Sequence, residues 1–380
     1  MKSFVLVDGR PAQGRPRGMG VYALRLVAAL AGQSRPVGIK VALDRRAGDD
    51  PWPGLHAVER LWGTAGNPAL WEQSVLPTLA RRAGAGLLHF TANASALRSA
   101  VPHIVTIHDA IFLRPLREIT GRVYPRQVWA HWYYRLTVRA GARRARRILT
   151  DSEHSQSELI TKLHLPVENI RVVPLAQPHL HPALTEGEVH EILGELKIKQ
   201  PYMLGFGAID LRKNSANLVR AFARMPRSAL QMLVLAGFEK AERSHVPTLA
   251  SQLGLQDRLR ILGYIPERML TALFQGASVF AYPTRAEGFG LPLLQAFHLG
   301  VPVLTSKVGS IPELAANAVR YANPEDPRSI CTETLQILTD PNEAHRMALA
   351  GYLQAKHFTW EATAQKTLAN YVEALDGGVS

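Results

Sequence analysis

Short, unbroken apolar runs alternate with helical patterns along this chain, and no other feature constrains its fold as much. In the first half the strand candidates are 4–8, 39–43, 87–90, 104–108, 148–151 and 170–174. In the second half they are 202–205, 231–236, 259–262, 278–282, 302–305 and 318–321. A strand with one solvated face alternates apolar and polar residues; these runs do not. Both of their faces must be covered, as in parallel sheets flanked by helices. Helical stretches such as 21–30, 129–146, 214–223 and 292–299 lie between them. The alternation in both halves predicts two doubly wound α/β domains. A length of 380 residues is enough for two such domains.

Pro174, Pro178 and Pro182 break regular structure near the middle, and a polar helical stretch follows. The expected division is therefore 1–180, a linker over 181–200, and 201–358, with a last helix over 359–380. No apolar run reaches the roughly 18 residues of a membrane-spanning helix, and the first residues read as a strand, not a signal peptide. The single Cys331 excludes an internal disulfide and suits a cytoplasmic protein. Of the net charge of +13, residues 1–190 carry +11 (25 Lys and Arg against 14 Asp and Glu) and residues 191–380 carry +2 (19 against 17). An excess confined to one half points to an anionic partner for that half, or to solubility alone.

Chemistry concentrates at Arg285-Ala-Glu-Gly-Phe-Gly-Leu-Pro292. A strand runs into a loop holding Glu287, Gly288 and Gly290. Pro292 suits the first turn of a helix, and Gly300 suits the position just past its end. The loop thus carries Glu287 and free backbone N–H groups to a helix N-terminus, which attracts phosphate. Gln295 lies one turn into that helix. Arg212 and Lys213 precede another helix, beginning near Asn214, and match a leaving diphosphate. Gly18-Met-Gly20, beside Arg15 and Arg17, suits a loop closing over a phosphate. His108 and Asp109 end a strand at the edge where open α/β sheets bind ligands. Ser152 and Ser155 read as helix caps, with Ser152 also able to line a cleft. Asp151-Ser-Glu153 is only a weak imitation of a metal-binding Asp-x-Asp. "GFGAID" (205–210) lacks the third glycine of a dinucleotide fingerprint.

Taken in order, these segments resemble glycosyltransferase family 4. The likeness extends to "DGRPAQGRPRGMGVY" (8–22), "VTIHDAIFL" (105–113), "ILTDSEHSQSEL" (148–159), "IRVVPL" (170–175), "GAIDLRKN" (207–214) and "FTWEATAQKTL" (358–368). The resemblance implies the GT-B fold, two Rossmann-like domains with an interdomain cleft. It makes 1–180 the acceptor domain and 201–358 the donor domain, with 359–380 folding back on the first. It implies a retaining hexosyltransferase that uses a nucleotide sugar, without a metal or other cofactor. Glu287 would then contact hydroxyls of the donor sugar. Phe289, Gly290 and Leu291 would approach the sugar and diphosphate, together with Gly288, Gly207, Gly18 and Gly20. Arg212 and Lys213 would take the leaving phosphate, while His108 or Asp109 would contact the sugar or orient the acceptor. Ser152 and Arg17 would serve the acceptor side. Gln295 stands where the pattern has its second glutamate, which holds the ribose. Glutamine keeps an acceptor oxygen but loses the charge, at a cost of about 1 kcal/mol.

The 8–22 segment resembles the branch that uses GDP-mannose or related GDP-linked deoxyhexoses in O-antigen, lipopolysaccharide or exopolysaccharide synthesis. Tyr124, Trp129, Trp132, Tyr133 and Tyr134 lead into Arg135, Arg139, Arg143, Arg144, Arg146 and Arg147. That mixture suits peripheral contact with the anionic inner face of a plasma membrane; a partly buried stripe with a solvated basic face is the plainer alternative. Rival readings are a GT-B phosphorylase or epimerase, and a catalytically weak binding subunit suggested by Gln295. A nucleic-acid partner is not expected, because charge alone speaks for it.

Overall fold

The structure, a computed structural model, describes residues 4–16, 18–120, 125–177 and 181–377. Two compact units are present: Met1–Leu113, Tyr124–Ala176 and Phe358–Ser380 form the first, Arg114–Val123 and Gln177–His357 the second.

The first unit is built on seven parallel strands: β1 (Phe4–Asp8), β2 (Gly38–Asp44), β3 (Glu59–Gly63), β4 (Leu87–Phe90), β5 (His103–Thr106), β6 (Arg147–Thr150) and β7 (Ile170–Val172), in the order β3-β2-β1-β4-β5-β6-β7. Val7 pairs with Val41 on one side and His89 on the other. Leu6, Leu88, Phe90, Val105 and Ile148 fill its core. The helix Met19–Gly32 buries Tyr22, Ala23, Leu26, Val27 and Leu30, a stripe at helical spacing, and it packs on the helix Trp360–Asp376.

The second unit carries β8 (Tyr202–Phe206), β9 (Met232–Ala236), β10 (Leu259–Ile261), β11 (Val279–Tyr282), β12 (Val303–Thr305) and β13 (Val319–Tyr321), ordered β10-β9-β8-β11-β12-β13 and again all parallel. Leu218, Phe222, Leu233, Leu235, Val279 and Leu304 make its core. Strand order reverses between β1 and β4 in one sheet and between β8 and β11 in the other. Such reversals open a crevice at the carboxyl ends of the strands.

Three features differ from the sequence expectations. β3 has no continuous apolar run; it is a sheet edge with half-buried side chains. Within 181–200, expected as a linker, the helix Glu186–Glu195 docks on the helix Glu267–Gln275 through Leu184, Ile192 and Ala272. Finally, β5 stops at Thr106, so His108 lies two residues past the strand instead of at its end.

Candidate functional site

The second unit gathers its polar chemistry at the β8/β11 switch point. After β8 the chain passes Gly207, whose N–H is tied to Ala236 O at 3.0 Å, and makes a single 3-10 turn, Leu211–Lys213. Asp210 caps that turn by accepting the Arg212 N–H at 3.0 Å. Its carboxylate also grips the Arg212 guanidinium at 2.6–3.1 Å. Asn214 ends the turn in the left-handed region at φ 58°, and its side-chain amide donates to Pro283 O (2.9 Å) and Pro324 O (2.7 Å). The loop after β11 fastens to the same turn: the Arg285 N–H and the Thr284 hydroxyl both donate to Arg212 O at 2.8 Å.

Between these two loops lies a cluster. Lys213 Nζ donates to Glu287 Oε2 at 2.9 Å and sits 4.8 Å from the centre of the Tyr282 ring. The Tyr282 hydroxyl bonds both Lys213 Nζ and Glu287 Oε2. Burial alone would raise the Glu287 carboxyl, but the Lys213 charge and the Tyr282 and Lys213 donors hold it below the ordinary carboxylate range. For Lys213, burial is likewise outweighed by Glu287 and Tyr282, so it stays an ammonium. Burial foremost, and then the Glu287 charge, keeps the Tyr282 hydroxyl protonated. The three side chains therefore form a fixed set of donors and one ionised acceptor.

Gly290 caps the helix Leu291–His298, with Pro292 in its first turn, so Gly288, Phe289, Gly290 and Leu291 form the approach to a helix N-terminus. Gln295 is buried in the second turn. Gly309 holds Glu287 from behind. It sits at φ +59°, and a Cβ there would lie 2.2 Å from Glu287 O.

The structure thus brings Arg212, Lys213 and Glu287 together. It adds three participants the sequence reading missed: Tyr282, Gly309 and the upstream segment around Thr120. Thr120 forms an isolated antiparallel bridge with Asp210, and the short helix Leu116–Ile119 packs against the Leu211–Lys213 turn.

The remaining predicted residues belong to the first unit. Gly18 precedes the helix Met19–Gly32, and Gly20 lies so close to Pro11 that a Cβ would sit 2.4 Å from Pro11 O. Arg17 lies outside the described residues. His108 is buried with both ring nitrogens engaged: Nδ1 meets the Asp151 carboxylate at 2.9 and 3.1 Å, and Nε2 meets Thr91 O at 3.0 Å. Burial lowers its pKa, yet the Asp151 charge and these hydrogen bonds prevail and raise it. His108 is thus held more basic than a free imidazole and is clamped to Asp151, with the Tyr22 ring edge-on at 4.7 Å. Asp109 accepts the Ile111 N–H at 2.9 Å. Ser152 caps the helix Glu153–Leu163, and Ser155 ties that helix to His108 O at 3.0 Å.

A second polar chain crosses this unit: Tyr22 OH to Thr106 Oγ1 (3.0 Å), Thr106 to His89 Nε2 (2.8 Å), and His89 Nδ1 to Tyr371 OH (2.6 Å). Burial pushes His89 down to about 3, so it is neutral.

Residues 16–176 match the family described as Glycosyltransferase Family 4, and residues 191–354 match Glycosyl transferases group 1. The chain is 31% identical over 272 residues to O-antigen chain mannosyltransferase B of Escherichia coli, covering 70% of this chain and 69% of that one. It is 24% identical to the MMP alpha-(1->4)-mannosyltransferase of Mycolicibacterium hassiacum, covering 77% and 69%. Among solved structures, the sucrose-phosphate synthase of Thermosynechococcus elongatus superposes with a TM-score of 0.73 at 19% identity, covering 99% of this chain and 100% of that one. Anabaena HepE in complex with UDP-glucose superposes with a TM-score of 0.74 at 16% identity, covering 98% and 100%. The fold is GT-B.

Proposed function

We propose that this chain, a hexosyltransferase that belongs to glycosyltransferase family 4, moves mannose or a related deoxyhexose from a GDP-linked donor, with retention of configuration. The acceptor in this reading is a glycan or lipid-linked glycan of O-antigen or exopolysaccharide synthesis. The observation that carries the proposal is the Lys213–Glu287–Tyr282 cluster beside Arg212, at the switch point of a parallel sheet. The mannosyltransferase relatives and the 8–22 segment support the sugar and the base.

In this reading Glu287, ionised and rigid, accepts hydrogen bonds from donor sugar hydroxyls. The helix N-terminus at Gly290 and Leu291 faces the diphosphate. As the bond from the anomeric carbon to the phosphate oxygen breaks, Arg212 and Lys213 stabilise the charge growing on that oxygen. The departing oxygen takes the acceptor hydroxyl's proton, and the acceptor oxygen bonds the anomeric carbon on the same face. No carboxylate base is required, which leaves Asp109 its turn and His108 its clamp on Asp151. Fixed cations take the role that a divalent metal has in other transferases. Excess EDTA should change turnover less than twofold; a tenfold loss restored by Mg²⁺ would refute that part of the reading.

The central test is a thermal-shift and hydrolysis screen with GDP-, UDP- and dTDP-sugars. GDP-mannose should raise the melting temperature and be slowly hydrolysed. Silence toward every nucleotide sugar would remove the donor assignment.

Membrane contact belongs to the same proposal. On the helix Pro125–Ala142, Trp129 (63% exposed), Trp132 (57%) and Leu136 (65%) form a stripe at helical spacing, followed by exposed Arg139, Arg143 and Arg144. Arg135 stacks 5.5 Å from the Trp132 ring. Indole rings beside arginines suit an anionic bilayer surface. Arg146 and Arg147 serve otherwise, bonding Ala374 O and Glu373. In liposome flotation the chain should favour anionic vesicles, and Trp129→Ala/Trp132→Ala should release it. Equal binding to neutral vesicles would argue against this contact.

A further inference from the structure

The second unit has another concentration of charge, at the opposite edge of its sheet. An open depression of about 750 Å³ lies where β8, β9 and β10 begin. Five-residue strands such as β8 and β9 span about 17 Å, so this depression is separate from the Lys213–Glu287 cluster at their carboxyl ends. Lys197, Lys199, Arg227, Arg258 and Arg260 line it, with Asp257 as the one carboxylate among the lining residues.

Five cations gather around this depression with a single carboxylate among its lining residues. The half of the chain from 191 to 380 is nearly balanced, with 19 Lys and Arg against 17 Asp and Glu. Some of its other cations have carboxylate partners, as in Arg268–Glu188, Arg285–Glu325 and Arg320–Glu333. Among the described residues none of the five in the depression is ion-paired. Arginines on an edge strand do guard against strand pairing. That would account for Arg260, in β10, and for Arg258, the residue before that strand, but not for Lys197, Lys199 and Arg227. Those come from the segments leading into β8 and β9.

Two of the five are built in. Arg258 is buried over the Phe222 ring at 4.5 Å, and its guanidinium donates to Leu230 O at 2.6 Å and Gln231 O at 3.3 Å. Burial, and then the nearby Arg227 charge, pushes its pKa below the ordinary range, although a guanidinium remains charged. Arg260 Nε is buried without a hydrogen-bond partner, a state that native proteins ordinarily avoid. Like charges gathered around one depression favour an anion there.

We propose that this depression binds a small soluble ligand carrying two or more linked phosphoryl groups. The concave shape suits a compact polyanion. The lining has no aromatic side chain for stacking a base or entering a bilayer; of its apolar members Met232 is buried and Leu259 half-buried. Several converging cations match linked phosphates better than a single one.

The test uses inorganic pyrophosphate and triphosphate at fixed ionic strength, titrated calorimetrically. The first background is Arg212→Ala/Lys213→Ala, which removes the donor-side cations. Both probes should still bind there, at least tenfold more tightly than monophosphate. Adding Lys199→Glu/Arg227→Glu, two exposed positions whose reversal spares the core, should weaken binding at least tenfold. In the otherwise unaltered chain the same reversal should abolish one binding event and leave another. Three results would each overturn the proposal: binding lost already in the first background, binding indifferent to the reversal, or a depression that takes phosphatidylglycerol vesicles or single-stranded DNA but neither phosphate probe.

Discussion

Glu287 shows how a single carboxylate can be both structural and reactive. Asp210, Arg212, Lys213 and Glu287 sum to zero charge, and each ion is already paired. A diphosphate is therefore not drawn in by net charge; it must share or replace the existing partners. Glu287→Gln tests this, because it keeps the shape and frees Lys213. Nucleoside diphosphate should bind a few-fold more tightly, while turnover falls by about 100-fold, or ~2.7 kcal/mol. Stability should drop by about 1–3 kcal/mol, discounted because the pair is partly solvated. Tighter product binding without loss of turnover would remove Glu287 from the donor sugar. Gln295→Glu is the complementary change: activity should persist and the donor KM should shift by several-fold. If it awakens an inactive chain, the binding-subunit reading is the correct one. Sequence alone made Glu287 and Lys213 conspicuous, because a carboxylate in a glycine loop and a cation before a helix have few structural uses. Tyr282 was hidden, since a tyrosine closing a buried strand looks like core. Asp151 was hidden too, because its partner His108 is 43 positions away in sequence.

Elements were legible wherever burial is two-sided. All six strands of the second sheet, and six of the seven in the first, overlap segments the sequence marks as strands, although the edge strands β7, β10 and β13 are partly exposed and carry a central arginine. β3 escaped because Glu-Arg-Leu-Trp-Gly at an edge needs no continuous apolar run. The arginine-rich helix Pro125–Ala142 was visible, but not the division of its aromatics. Trp129 and Trp132 are exposed, whereas Tyr133 donates to Glu72 Oε2 at 2.7 Å and Tyr134 packs on the core. Beneath that helix lies a pH-sensitive anchor. Burial raises Glu72 to about 7 and Asp8 to about 6. An acid whose folded pKa is raised stabilises the fold at low pH and loses that contribution as pH climbs from its unfolded value, about 4, to its folded one. Stability should thus fall between about pH 4 and 7. Glu72→Gln, which still accepts from Tyr133, should recover on the order of 2 kcal/mol at pH 8 and nothing at pH 4. Denaturant titrations at the two pH values measure this; an equal effect at both would show that Glu72 ionises normally.

At the scale of the whole molecule the chain does not respect a simple two-part division. It contributes Arg114–Val123 to the second unit, resumes the first, and supplies the first again with its final helix. Neither exchange is written in local pattern. The early one is too short to have a period, and the last helix looks like any amphipathic helix. Its weight lies in what it buries: Tyr371 and Ala364 are fully enclosed, Tyr371 OH bonds His89 Nδ1 at 2.6 Å, and Thr363 bonds Pro174 O at 2.8 Å. Removal of residues 358–380 should therefore unfold the first unit, which begins more than 300 positions earlier in the sequence, and spare the second, adjacent one. The expected outcome is loss of amide protection in β1, β4 and β5 with protection retained in β8, β9 and β11. Nucleoside diphosphate should still raise the second unit's melting temperature, because a ligand stabilises only what binds it. Tyr371→Phe is the milder form: it leaves a buried imidazole nitrogen unsatisfied and should cost about 1–3 kcal/mol. If truncation instead strips protection from both sheets together, the two units fold as one cooperative body, and their separate cores do not confer separate stability.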